Sequence, residues 1–148
     1  MLPVLLYGCE TWTLPAALKS RLNSFGTMAL RRILGYRWSD FVSNDRLLKE
    51  TGLRYVTCMV RERQLRLLGH VGRFAESDPA HKALFEADAG GNRRAGRPRT
   101  SWLVQADRHL GELGLGRAMV SGMAQRRPQE FRRRVDAATR CRGACSHT

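Results

Sequence analysis

Lysine is nearly absent from this chain: Lys19, Lys49 and Lys82 are the lysines among 26 cationic side chains, and all the others are arginines. Lysine serves solubility as well as arginine does, so the bias asks for another account. A guanidinium is planar and permanently charged, grips a phosphate through two hydrogen bonds and stacks on bases. Carboxylates are scarce as well, 13 against 26 cations, and no two are adjacent. Two-metal phosphoryl chemistry needs converging carboxylates, and no spacing brings Asp40, Asp45, Asp78 or Asp107 together. A phosphate-cradling Gly-x-x-x-x-Gly-Lys loop and a Gly-x-Ser-x-Gly elbow are both missing. The chain is therefore read as a non-enzyme, with no cofactor and no metal expected.

Long apolar runs are also lacking. Stretches such as residues 2–7 fall far short of the roughly 20 residues that cross a bilayer. No cation precedes that run and Glu10 interrupts it, so it does not read as a signal peptide. Without such a signal, Cys9, Cys58, Cys141 and Cys145 read as thiols rather than disulfides. Cys141-x3-Cys145-x-His147 supplies three of the four ligands that a structural zinc takes. The opening Met-Leu-Pro-Val runs straight into apolar sequence, as the tail of a longer protein would.

What is present is charge of one sign. A formal +13 on 148 residues points to a polyanionic partner, nucleic acid first among them. A base-composition bias of the coding DNA would also enrich arginine and glycine. The nucleic-acid reading implies an intracellular address, the nucleus included, and no membrane. With 43% apolar residues, the length suits one domain with a modest core. Trp12, Trp38 and Trp102 are spread along the chain, which suggests packing throughout.

No repeat is evident and nothing alternates like a half-buried strand, so the expected fold is all-α, an irregular bundle of about five or six helices with a basic Gly/Pro loop. Residues 2–12 read as either a short buried helix or a strand edge. A helix is predicted over 14–34, capped by Thr13, with Leu18, Leu22, Phe25, Ala29 and Ile33 on its apolar face and Gly35 as terminator. Arg21 and Arg32 flank that stripe, and Arg31 lies further round. Gly26 within this helix should cost about 1 kcal/mol relative to Ala. Asn44 is the expected cap of a short second helix that buries Leu47 and Leu48 and stops at Gly52.

A third helix, 55–74, should bury Val56, Val60, Leu67, Leu68, Val71 and Phe74. Arg63, Arg66, His70 and Arg73 recur on it at steps of three or four, giving a cationic stripe that suits either a phosphate backbone or a solvated face. Asp78-Pro79 reads as cap and first turn of a fourth helix. Thr100 or Ser101 should cap a fifth, carrying Trp102, Leu103, Ala106, Leu110 and Leu113 and ending at Gly114. Pro128 interrupts the weaker pattern beyond Gly116, and a last basic helix is predicted over 129–140 around Phe131 and Val135. Between the fourth and fifth, residues 88–99 have no apolar periodicity and read as a flexible loop. Its Arg93, Arg94, Arg97 and Arg99, with Gly96 and Pro98, suit a minor-groove hook or phosphate clamp, or simply a solvated loop.

Five segments in order carry a resemblance: Leu5-Leu6-Tyr7-Gly8-Cys9-Glu10-Thr11-Trp12; Leu30-Arg31-Arg32-Ile33-Leu34-Gly35; Trp38-Ser39-Asp40 with Val42-Ser43-Asn44; Arg63-Gln64-Leu65-Arg66-Leu67-Leu68-Gly69-His70-Val71; and Gly96-Arg97-Pro98-Arg99 followed by Trp102. Together they resemble the region after the polymerase core of non-LTR (LINE-type) retrotransposon reverse transcriptases. That resemblance covers roughly residues 5–115 and implies a thumb with an adjoining linker; joined to the helix and loop readings above, the expected division is a thumb-like helical segment over 1–87, a basic linker over 88–99, a C-terminal helical segment over 100–140 and a loose tail over 141–148. It implies a unit that holds the template–product duplex, with the missing polymerase core as a further partner. It also implies nucleic-acid contacts from Arg63, Arg66, Arg73 and the Gly96–Arg99 loop. The polymerase carboxylates of that family lie in a Tyr-x-Asp-Asp element, and this chain has no Asp-Asp. Leu67 stands where the family usually has Trp, and Gln125-Arg126-Arg127-Pro128-Gln129-Glu130-Phe131-Arg132 replaces an Asp-Arg-x-x-Trp-Arg element.

Overall fold

A computed structural model describes residues 2–86 and 101–140. The predicted 88–99 loop and the 141–148 tail, with its Cys141, Cys145 and His147, lie outside the described residues. Among those described, the chain is all-α, with eight helices and no strand.

The ambiguous start resolves into a four-residue helix, α1 (Leu2–Leu5), and a 3-10 turn over Cys9–Thr11. Next come α2 (Ala16–Leu34), α3 (Asn44–Thr51) and α4 (Val56–Val71). A short α5 (Pro79–His81) widens into a π turn over Lys82–Glu86. The chain then forms α6 (Trp102–Gly111), α7 (Arg117–Arg126) and α8 (Pro128–Thr139). Gly35, Gly52 and Gly114 all take left-handed φ values near the expected helix ends. Asp78 accepts the Ala80 amide at 2.8 Å, as its position before Pro79 suggested.

Two caps differ from expectation. Pro15, not Thr13, holds the N-cap of α2, in extended backbone and with no side-chain bond. For α3 the cap is Ser43, whose Oγ accepts the Arg46 amide at 3.2 Å; Asn44 is already helical and its Oδ1 takes a 2.8 Å bond from Arg31 instead. The weakly patterned α7 was not visible as a separate element, because Val120 and Ala124 are its buried residues. Proline is a poor follower of helical backbone and a good first helical residue. Pro128 accordingly ends α7 and starts α8.

The helix α4 is the axis of the fold. Its buried arc is wider than one stripe, taking in Cys58, Gln64 and Leu65 besides Val56, Val60, Leu68 and Val71, while Leu67 and Phe74 are half-buried. On one side Leu65 and Leu68 join Leu110, Leu115, Val120, Phe131 and Val135. On the other, Val56 and Val60 join Leu6, Cys9 and Leu14. Residues before and after the 88–99 stretch thus share one core. Three glycines make close approaches: a Cβ on Gly26 of α2 would sit 2.8 Å from Val56 Cγ2, one on Gly69 of α4 would overlap the Phe131 ring, and one on Gly72, the cap residue after α4, would meet Phe85 Cζ at 3.3 Å. The cost of Gly26 to α2 is therefore a condition of its approach to α4.

Long-range side-chain bonds tie the irregular N-terminal segment to this frame. Gln105 takes both backbone groups of Leu14, accepting its N–H at 3.1 Å and donating to its carbonyl at 2.7 Å. Gln64 Nε2 donates to the Trp12 carbonyl and Trp102 Nε1 to that of Glu10, each at 2.7 Å. Asn23 of α2 caps α4 from outside its own sequence, Oδ1 accepting the Thr57 amide at 3.2 Å and its hydroxyl at 3.0 Å. Trp12 and Trp102 are half-buried, but Trp38 is 86% exposed and joins neither core cluster.

His109 of α6 is buried, and its Nδ1 has no hydrogen-bond partner. Burial, assisted by the Arg61, Lys19 and Arg108 charges, lowers its pKa from 6.5 to about 4. The unfolded chain therefore takes up a proton near pH 6.5 that the folded chain refuses until about pH 4. The folded state is favoured in full above pH 6.5 and loses that advantage as pH falls towards 4, by roughly 2 kcal/mol at pH 5. Urea unfolding of the wild type and His109→Leu at pH 7.5 and pH 5 should show this loss in the wild type alone. Parallel losses in both would contradict it.

Candidate nucleic-acid interface

A step of four puts Arg66 and His70 on one face of α4; the helix stops at Val71, short of the expected residue 74, so Arg73 follows in the turn beyond Gly72, beside His70, and α8 packs across the helix just there. A groove of about 500 Å³ runs between the two. Gly69, Phe131 and Val135 form its floor, and Arg66, His70, Arg73 and Arg132 supply the cationic rim, with Asp136 beside them. Gly69 sets the depth, since any side chain there would meet the Phe131 ring.

The rim residues are not equivalent. Arg66 is shared by two carboxylates, Glu62 Oε1 at 2.6 Å and Asp136 Oδ1 at 3.1 Å, and so holds α8 against α4. Arg73 Nη2 lies 3.0 Å from His70 Nδ1. A guanidinium has no acceptor, so in this contact Arg73 donates and Nδ1 accepts. The His70 ring also meets Phe74 edge-on, centroids 5.0 Å apart, which fixes its plane. Arg132 is exposed and forms no ion pair among the described residues. Arg73 and Arg132 thus bring to the groove the two positive charges without a carboxylate partner among the described residues.

The other expected contacts lie elsewhere. Arg63 turns from the groove, with Nη1 donating to the Leu6 carbonyl at 2.9 Å and lying 3.7 Å from Glu10. Arg31 bonds Asn44, joining α2 to α3, and Arg32 is exposed near the end of α2. Arg93, Arg94, Arg97 and Arg99 fall outside the described residues. Arg132 was not among the expected site residues. The cationic run of α8 was legible, but nothing in its spacing said that α8 would lie along Arg66 and Arg73. No group of three His, Cys, Asp or Glu side chains suited to a metal occurs among the described residues. No described helix is long and apolar enough to cross a membrane.

No protein-family model, no curated protein and no solved structure matches this chain.

Proposed function

We propose that this chain is a non-catalytic nucleic-acid-binding unit of the kind found after the polymerase core of LINE-type reverse transcriptases, gripping a template–product duplex through Arg–phosphate contacts. The observation that carries the reading is the cationic groove between α4 and α8. It sets Arg73, in the turn that follows α4, opposite Arg132 of α8, with Arg66 and His70 beside them. Such an arrangement tracks a phosphate backbone without reading bases, so binding is sequence-independent. The excess of 26 cations over 13 carboxylates in the chain supports the same reading.

The test is titration of a fluorescent RNA–DNA duplex at several salt concentrations. Several phosphate contacts lower the affinity by orders of magnitude between about 50 and 200 mM salt, with a slope near 0.9 log units per contact on duplex DNA. Affinity that hardly moves across that range would remove the reading. Primer extension with Mg²⁺ or Mn²⁺ should yield no product from the pure chain.

A second reading, a structural or protein-interaction module, has its own observation. The expected apolar stripe of α2 is inside only in part: Leu22 and Ala29 are half-buried, Leu22 against the cluster of Leu6, Val56 and Val60, but Leu18 is 44% exposed, Phe25 43% and Ile33 75%. Trp38 and Phe41, edge-to-face at 6.1 Å, are exposed as well. Apolar faces of this kind cover partners.

A further inference from the structure

The exposed face of α2 has a definite chemistry, and resting on the interaction-module reading we infer that it takes an acidic amphipathic helix of a partner protein. Leu18, Leu22 and Phe25 of α2 meet Leu5, Trp12 and Leu14 to form an open groove of about 510 Å³. The apolar surface continues along the helix through Met28 and Ile33, 59% and 75% exposed. At 1.5 Å per residue this strip is roughly 25 Å long, enough for about four turns of a partner helix. Its apolar residues recur at helical spacing, the register that a helix lying alongside can fill with its own i, i+3, i+4 and i+7 side chains.

Charge selects the partner. The helix α2 contains no Asp or Glu. Arg21 borders the groove, Arg32 follows three turns on along the same edge, and neither forms an ion pair among the described residues. A second copy of the chain would set these arginines against their own counterparts, on two bodies of formal charge +13. Nucleic acid fits poorly, because the floor is aliphatic and aromatic and offers phosphates no donors. A helix with leucine-like residues on one face and carboxylates along its flank satisfies both the floor and the edge.

The probe is a designed 18-residue peptide with leucines at that spacing and glutamates on its flanks, beside a twin in which lysines replace the glutamates. Fluorescence anisotropy with the full chain should show saturable binding of the glutamate peptide, with Kd of about 100 μM or below, and at least about tenfold weaker binding of the lysine twin. Arg21→Glu with Arg32→Glu should reverse that preference. Leu18→Ser with Phe25→Ser, both at exposed sites and checked for helix content, should weaken the glutamate peptide by about tenfold or more. Unchanged affinity in the serine variant would overturn the inference, since it would mean that net charge alone attracts the peptide. Equal binding of both peptides would overturn it too. Self-association of the wild type that the serine variant abolishes would keep the interaction-module reading and remove the acidic partner. Absence of both binding and self-association would remove the two together.

Discussion

Replacing Arg73 and Arg132 by glutamine together is expected to weaken binding of an RNA–DNA duplex on the order of a hundredfold near 100 mM salt, and to flatten its salt dependence by nearly two log units. These are the groove cations without a carboxylate partner, so their charge is available to a phosphate. Arg66 is different: with Glu62 at 2.6 Å and Asp136 at 3.1 Å it is already neutralised, and its replacement should loosen α8 rather than the ligand. The control removes the same charge away from the groove. Arg46 and Arg108 are exposed and form no ion pair among the described residues, and their joint replacement by glutamine should cost only a few-fold in affinity through the long-range field. If the control pair weakens binding as much as the groove pair, attraction is a matter of net charge and the groove has no special part in it.

The largest stability effects should come from the floor of the same groove. Phe131 is 3% exposed and central to the cluster that joins α4 to α7 and α8, so Phe131→Ala should destabilise the fold by about 3–5 kcal/mol. Gly69→Ala has two opposing consequences. Alanine favours the helix over glycine by about 1 kcal/mol. Its Cβ, however, would lie 2.8 Å from Phe131 Cδ1 and overlap the neighbouring ring carbon, which forces α4 and α8 apart or the ring off its rotamer. Overpacking of this sort costs about 1–3 kcal/mol, so the net effect is destabilising. In the Phe131→Ala background the obstruction is gone and only the helix preference remains, so the same Gly69→Ala change should stabilise. Chemical denaturation of the four proteins measures the cycle. A Gly69→Ala effect of the same sign in both backgrounds would show that the ring does not set the spacing of these helices.

Local rules of the chain went far toward the fold. The glycine terminators, the Asp78-Pro79 start, the buried pair Leu47 and Leu48 and the core positions Phe131 and Val135 all follow from backbone preference and short-range periodicity. Errors arose where a residue several positions or helices away took over a local role. Ser43 caps α3 while Asn44, already its first helical residue, takes a bond from Arg31, and Asn23 caps α4 from another helix. The apolar stripe of α2 obeyed its period, but packing covers it in part: Leu22 rests on the cluster that holds Val56 and Gly26 meets Val56 closely, while Leu18, Phe25 and Ile33 stay exposed.

The arginine surplus, the absence of paired carboxylates and the helical periodicity are properties of the chain alone, since charge and backbone preference need no neighbour to be expressed. Tertiary structure decided which arginines remain available. The Glu62–Arg66 pair is an i,i+4 neighbour that spacing alone foretells; only packing brought Leu6 and Glu10 to Arg63 and Asp136 to Arg66, and left Arg73 across a groove from Arg132. Those pairings join residues as much as 70 positions apart, and no sequence spacing encodes a distance that chain folding alone creates.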